Sequence, residues 1–509
     1  MNNFNFKNLA FATLACNVAI APQLAEAKNK KSTTEQQKNN VLIILVDDWG
    51  ASDLSYKGSK FYETPNIDAL AGQSTSFNNA YVAYPRSVPS RYSLWTGMHC
   101  ARPQNLGKGT EADERKIDQN TYSIAEPFKA SGYNTFFIGK WHVATDDCAP
   151  KDKGFEINIG GGHAGATSSH FAPFNQNYKG EKARDEGGLI TDMDDAENGE
   201  YLTDYMTRKT VDFIKQKRQK PFLSVISYFA VHTPIQAKKD KIAKYEQKKL
   251  ALGLTTTNYV PEEAGERLAQ QNNATYAAMI ESVDEGVGEM VAALKATGQY
   301  DNTVIVLLSD HGGLSNRGAG NNRELATNND PYKAGKGHLY EGGIRIPMFV
   351  HLPGQQKSKQ SDVLTAGYDL FPTVADLCKL KIPSQVKFDG VSLAPALKGN
   401  SKKYAVRDLY WHKAAERPTS TGDYVSSAIR SGNYKLIDFY TQNRVELYDL
   451  SNDISESTNI ASQKPELTTE LLTKVQNWRK ELNVNMPKQK NNNNSGNKNI
   501  NNNKNKKTK

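Results

Sequence analysis

Cysteine is scarce, with only Cys16, Cys100, Cys148 and Cys378 in 509 residues. That number rules out a disulfide scaffold. Loss of an N-terminal leader would leave three, enough for at most one internal bridge and equally compatible with three unrelated buried thiols. Long apolar runs are missing too. The longest near the N-terminus, residues 9–20, is interrupted and falls short of the ~20 residues a spanning helix needs, so no membrane span is expected. Acidic residues are absent from residues 488–509, which hold seven Lys, while residues 1–38 hold five Lys against two Glu. The formal net charge of +9 therefore resides in the ends and leaves the middle near neutrality. A basic balance of this kind describes tails rather than a polyanion-binding face, and no nucleic-acid partner is inferred. No internal repeat is present.

What is there begins with Lys7, the apolar stretch and Ala25-Glu26-Ala27. Together they predict a signal peptide over 1–27 and export to the periplasm or beyond the cell. Lipid attachment at Cys16 is the weaker alternative, because Thr13 stands where such sites carry Leu. Residues 28–39 read as a polar linker. Residues 485–509 read as an Asn/Lys tail too poor in apolar groups to offset ordering entropy. That tail is a solvated extension or a weak electrostatic tether.

Between the ends, short β-branched and aromatic runs alternate with helical patterns, which predicts an α/β fold with a mostly parallel sheet sandwiched by helices. Strands are expected over 41–46, 135–138, 222–228, 303–308 and 348–351, and helices over 201–215 and 274–297. The second helix has Tyr276, Ile280, Val283, Val287, Met290 and Leu294 on one face. After residue 373 the rhythm changes. Strands over 428–430, 434–439 and 445–448 and a helix over 465–482 predict a small antiparallel sheet with one helix. The division expected is a catalytic domain over 40–395 and a C-terminal subdomain over 396–484. The glycine-rich stretch 150–198 is long enough to be a functional loop.

Four of the strands run straight into polar residues: Asp47-Asp48, Lys140-Trp141-His142, His232, and Asp310-His311. Ligands in open α/β sheets bind outside the carboxyl ends of strands, so these groups can converge. Asp47, Asp48, Asp310 and His311 at one sheet edge are mutually repulsive unless a divalent cation neutralises them. Oxygen-rich ligation favours Ca²⁺, with Mg²⁺ as the alternative, over zinc. A single Asp at a strand end is more often a helix cap; two pairs at two strand ends argue for the metal. The segment Ser87-Val88-Pro89-Ser90-Arg91 places Ser87 just before a helix, where N–H groups and the dipole favour an anion attached at that position. Arg91 reaches back from one turn on. An ordinary cap at Ser87 and an exposed Arg91 are the plainer readings.

Ser87-x-Pro89-Ser90-Arg91 followed by Thr96-Gly97 resembles the signature of type I sulfatases in the alkaline-phosphatase superfamily. So do Val46-Asp47-Asp48, Gly139-Lys140-Trp141-His142, Val231-His232-Thr233-Pro234, Ser309-Asp310-His311-Gly312-Gly313 and the Gly335 to Gly343 segment, in order over roughly 40–484. The resemblance implies a sulfuric ester hydrolase in which Ser87 is oxidised to formylglycine by a radical sulfatase-maturating enzyme, the Ser-type route. It implies that Asp47, Asp48, Asp310, His311 and the residue-87 oxygen bind the metal, and that Arg91 and Lys140 hold the formylglycine hydrate. His142 then assists breakdown of the sulfated intermediate, and His232 with Lys336 contact the sulfate and its leaving oxygen. This sequence has His311 at a position where Asn is frequent in the family.

Residues 158–165 and 168–173, with 312–323, resemble the substrate loops of polysaccharide sulfatases acting on galactose-type sugars. An exo-acting O-sulfatase for galactose or N-acetylgalactosamine units of a sulfated oligo- or polysaccharide is implied, with His163 and Arg323 as candidate sugar ligands or, alternatively, ordinary loop residues. Glu341 and Arg345 are expected to pair locally, and Trp141 and Tyr340 to pack. Two other functions stay open. A phosphodiesterase or phosphonate hydrolase of the same superfamily suits the Lys-His set, although only one metal's worth of ligands is visible. A non-catalytic sulfoglycan-binding protein would keep Ser87 unoxidised.

Overall fold

The computed structural model describes residues 38–104, 115–145, 147–176, 189–400, 404, 406–417 and 419–486. The leader expected over 1–27, and all but the last two linker and first two tail residues, lie outside these described residues.

The Val/Ile/Leu runs form the middle of an eight-stranded sheet. Asn40–Val46, buried throughout, lies parallel to Phe222–Ser227 on one side and to Thr303–Ser309 on the other. Asn134–Gly139 and then Ile157–Ile159 continue the parallel order. On the opposite flank Met348–His351 runs antiparallel to both Thr303–Ser309 and Thr75–Phe77, and Lys359–Ser361 forms the edge. Side chains alternate between faces along a strand. Val41, Ile43 and Leu45 accordingly enter one core with Trp95, Trp141 and Phe371, whereas Leu42, Ile44 and Val46 enter the other with Tyr276, Ile280 and Met290. Continuous apolar runs were needed because both faces are covered. The helix Ala274–Ala296 is capped by Asn273, whose side chain accepts from the Tyr276 N–H, and buries the face expected of it.

Near the C-terminus Leu409–Lys413, Ser426–Ser431, Tyr434–Phe439 and Arg444–Asp449 form an antiparallel meander. The helix Pro465–Leu482 packs Leu471 and Val475 against Ile429, Leu436 and Leu447. Leu471 is 1% exposed, and Leu471→Ala is expected to destabilise the protein by about 2–5 kcal/mol, read as a lower denaturant midpoint.

This sheet also grips the main domain through buried charge. Glu341 accepts from Arg345 Nε at 2.6 Å, Lys435 Nζ at 3.0 Å and the Tyr81 hydroxyl at 2.9 Å. Lys435 also pairs with Glu456 at 2.8 Å, which accepts from the Glu341 N–H at 2.7 Å. The Tyr340 hydroxyl donates to Glu446 at 2.7 Å. Trp141 stacks on Trp95. Glu341, Arg345, Trp141 and Tyr340 are thus structural, as expected.

Several strands were not anticipated, the short Thr75–Phe77 and Lys359–Ser361 of the main sheet among them. Leu409–Lys413 has no β-branched residue, and Ile157–Ile159 is three residues within the stretch expected to be loop. Cys100, Cys148 and Cys378 are buried thiols without a disulfide. Among the described residues no helix is long and apolar enough to cross a membrane.

Candidate active site

The carboxyl ends of the central parallel strands deliver their polar residues to one edge. Asp47 and Asp48 leave Asn40–Val46 in a turn in which Asp48 takes a left-handed φ of 58°. The turn is held by the Asp48 N–H, which donates to Asp310 Oδ1 at 3.1 Å. The Asp47 N–H and C=O continue pairing with Ala230 and Val231 at 3.0 and 2.9 Å, which brings His232 alongside. Ser87 opens the helix Ser87–Thr96 rather than preceding it, since Arg86 is the cap residue. The Ser87 hydroxyl makes no capping bond and is turned to the sheet edge.

Ser87 Oγ lies 3.3 Å from Asp47 Oδ1, 3.2 Å from His311 Nε2 and 3.1 Å from Lys140 Nζ. Lys140 also donates to Asp47 Oδ2 at 2.6 Å. Arg91, fully buried, donates from Nε to Asp310 Oδ2 at 3.1 Å and from one terminal nitrogen to the Lys140 carbonyl at 2.8 Å and Ser227 Oγ at 2.7 Å. Lys336 Nζ reaches both oxygens of Asp48 at 2.8 Å, and His232 Nε2 is 3.7 Å from Asp48 Oδ2. His142 takes a φ of 47°. Its N–H donates to the Gly162 carbonyl at 2.9 Å, which lays the 162–165 loop over it. All ten expected catalytic and metal positions therefore meet in one place. His163 is exposed on this loop, and Arg323 is half-buried with its carbonyl accepting from Arg317 at 3.0 Å.

Burial dominates the electrostatics. Burial, aided by Asp310, pushes Asp47 up to about 7 against the pull of Lys140 and Arg91. Burial alone would also raise Asp48, but His232 when protonated, Lys336, and His311 when protonated hold it below the usual carboxylate range. Burial drives His232 and His142 well below the ordinary imidazole value, so both are neutral at pH 7.

The donor set suits a hard divalent cation. One ligand atom from each of Asp47, Asp48, Asp310 and His311 lies within 4.8 Å of the others. The Gly312 carbonyl, 3.0 Å from His311 Nδ1, can only accept, so Nδ1 carries the proton. The Nε2 lone pair of a neutral ring is then left 3.1 Å from Asp48 Oδ1, a repulsive contact that a cation between them turns into shared ligation.

Two supporting residues carry no motif signal. Ser227 ends its strand under Arg91. Asp53, buried, accepts from the Gly50 N–H at 3.0 Å, the Tyr276 hydroxyl at 2.7 Å and Thr327 Oγ1 at 2.7 Å, and so fixes the turn after Asp48. A strand-terminal serine could have been noticed by analogy with Asp47; nothing local distinguishes Asp53.

Comparison with known proteins agrees with this geometry. The Sulfatase family model matches residues 39–380, and a model described as the C-terminal region of N-sulphoglucosamine sulphohydrolase matches 334–482. A sulfatase of Formosa agariphila is 30% identical, with 90% of each chain covered. An N-acetylgalactosamine-6-O-sulfatase of Bacteroides thetaiotaomicron is 26% identical over 85% of this chain and 91% of its own. Among solved structures, Ps i-CgsB in complex with k-i-k-neocarrahexaose superposes with a TM-score of 0.69 at 31% identity, over 87% of this chain and 93% of that one. With its alkaline-phosphatase-like sheet, the chain belongs to the Sulfatase family and is a sulfuric ester hydrolase.

Proposed function

We propose that this sulfatase removes O-sulfate from a sulfated glycan, acting from chain ends on galactose or N-acetylgalactosamine units, with formylglycine made from Ser87 and Ca²⁺, or Mg²⁺ in its place. The observation that carries the reading is the position of Ser87. Its oxygen sits at a helix N-terminus, within 3.1–3.3 Å of a lysine, an aspartate and a histidine, where an ordinary cap serine would bond its own helix.

Asp47, Asp48, Asp310 and His311, with the residue-87 oxygen, would hold the cation, which supplies charge neutralisation for the sulfate. Formylglycine, once formed, supplies a hydrated carbon whose hydroxyl attacks sulfur. Lys140 holds the residue-87 oxygen, and Arg91 fixes Asp47 and Asp310 around it. On the far side of Asp48, Lys336 and His232 flank the place for the sulfate and its leaving oxygen. His232 Nδ1 is 2.7 Å from the Thr233 carbonyl, which fixes that nitrogen as a donor and turns Nε2 to the site. An arriving sulfate anion favours a proton on Nε2, which can then pass to the departing alkoxide. His142, beside Gly162, assists release of sulfate.

The N-acetylgalactosamine-6-O-sulfatase relative and the neocarrahexaose complex support the glycan class. His163, on the loop over His142, and Arg323 are the proposed sugar ligands. Export by the leader over 1–27, oxidation by a radical maturase, and the division into 40–395 and 396–484 complete the proposal.

The test is the mass of the peptide carrying residue 87, from protein made in its native host or alongside a matching maturase. A species lighter than serine by a pair of hydrogens is expected. Unmodified serine in fully active protein removes the formylglycine reading and promotes a serine esterase. Rates on matched aryl sulfate and aryl phosphate separate sulfatase from phosphoesterase action.

A further inference from the structure

Three of the turns that carry catalytic side chains meet on one uncharged residue, Asn329. Its Nδ2 lies 3.1 Å from the Gly313 carbonyl, 3.0 Å from the Ala334 carbonyl, 3.0 Å from Ser315 Oγ and 3.4 Å from the Gly342 carbonyl. Carbonyls only accept, so the amide nitrogen must face this group and Oδ1 must face away. Oδ1 is buried without a hydrogen-bond partner and points at the backbone of Gly50: a Cβ there would lie 2.5 Å from it. Leaving a buried acceptor unsatisfied costs its desolvation. A residue kept at that cost, with its donor end saturated, is held for its donor.

The residues it joins are close in sequence to the site. Gly313 follows His311, Ala334 precedes Lys336, and Gly50 follows Asp48. The Gly313 carbonyl that accepts from Asn329 also accepts from the Lys336 N–H at 3.1 Å, and Ser315 Oγ donates to the Ala334 carbonyl at 3.0 Å. The approach leaves no room for side chains. A Cβ on Gly335 would lie 2.7 Å from Asn329 Nδ2 and 2.5 Å from the Gly313 oxygen. A lysine held at its first backbone atom by this knot, and at its tip by two 2.8 Å bonds to Asp48, has little freedom of placement.

We infer that Asn329 is a positioning residue that sets Lys336 relative to Asp48 and His311. It acts through the Gly313 and Ala334 carbonyls and touches neither substrate nor cation. The inference rests on the reading above in which Lys336 serves the leaving oxygen. An isosteric carboxylate at 329 presents an acceptor to three carbonyl oxygens, so the turns separate and Lys336 is displaced, while Asp47, Ser87 and Lys140 stay as they are. Stabilisation of the leaving oxygen matters most where that oxygen is most basic.

The experiment measures kcat/KM of the full-length enzyme on aryl sulfates whose phenols span a wide range of acidity. It compares wild type, Asn329→Asp, Ser315→Ala and Lys336→Ala, each corrected for the modified fraction at residue 87. Asn329→Asp is expected to lose about 30- to 100-fold on the poorest leaving group and about threefold on the best, a steeper dependence of the same form as that of Lys336→Ala. Ser315→Ala should steepen it in the same direction by about threefold and decides the matter if Asn329→Asp does not fold. A uniform loss across the series in Asn329→Asp, with Lys336→Ala steepened, overturns the inference and leaves the role of Lys336 standing. An unchanged dependence in Lys336→Ala overturns both.

Discussion

Ser87→Ala is expected to lower kcat/KM on a sulfate ester by about 10⁴-fold or more without unfolding the protein. The fold survives because the hydroxyl is one of several ties in the site: Lys140 keeps its 2.6 Å bond to Asp47, and Arg91 keeps Asp310, Ser227 and the Lys140 carbonyl. The informative companion is Ser87→Thr. Threonine retains a hydroxyl in the same place, so a mechanism in which the serine oxygen itself attacks leaves measurable activity. Oxidation of threonine gives a ketone rather than an aldehyde, so a mechanism that needs formylglycine makes Ser87→Thr as inactive as Ser87→Ala. Thermal melting should place all three proteins within a few degrees. Substantial turnover by the threonine variant would count decisively against the modified nucleophile.

Asp310→Asn is expected to cost about 10³-fold in kcat and to abolish the response to calcium. Asp310 is completely buried and serves three neighbours. It accepts from the Asp48 N–H and from Arg91, and its Oδ1 stands 3.7 Å from His311 Nε2. Calcium at about a hundred times its Kd should stabilise wild type by about 2.7 kcal/mol, visible as a higher melting temperature. The variant should show little of that rise, because the cluster loses one of its three negative charges. Chelation of wild type should reproduce the loss of activity, and restored cation should reverse it. Full activity in the presence of a chelator would remove the cation from the mechanism.

Much of the fold was legible because the central sheet is covered on both sides. Residues 41–46 and 304–308 had to be apolar at every position, and such runs are conspicuous. The polar residues beyond them, and beyond the run 222–231, could then be read as strand-end groups, which singles out Asp47, Asp48, Asp310, His311 and His232. What escaped notice depends on partners far away in the chain. Leu409–Lys413 is a strand only because Ser426–Ser431 pairs with it, and Ile157–Ile159 only because Asn134–Gly139 does. Asp53 and Asn329 act through backbone groups that a one-dimensional pattern cannot bring to them. Ser87 was expected one position outside its helix, within the ordinary uncertainty of a helix start; the proposal that it is a reactive oxygen instead of a cap is supported by where the hydroxyl points.

The grip of the C-terminal sheet on Tyr340 and Glu341 has a consequence for the order in which this protein is made. Domains fold progressively as the chain emerges, and Asp47, Ser87, Lys140 and His232 all emerge before Lys336. The segment bearing that lysine is anchored by Lys435, Glu446 and Glu456, close to the end of the chain. On the proposed mechanism a nascent molecule cannot seat Lys336 until the strand Arg444–Asp449 and Glu456 beyond it have been made, so competence follows synthesis of the small sheet rather than of the helix that bears Ser87.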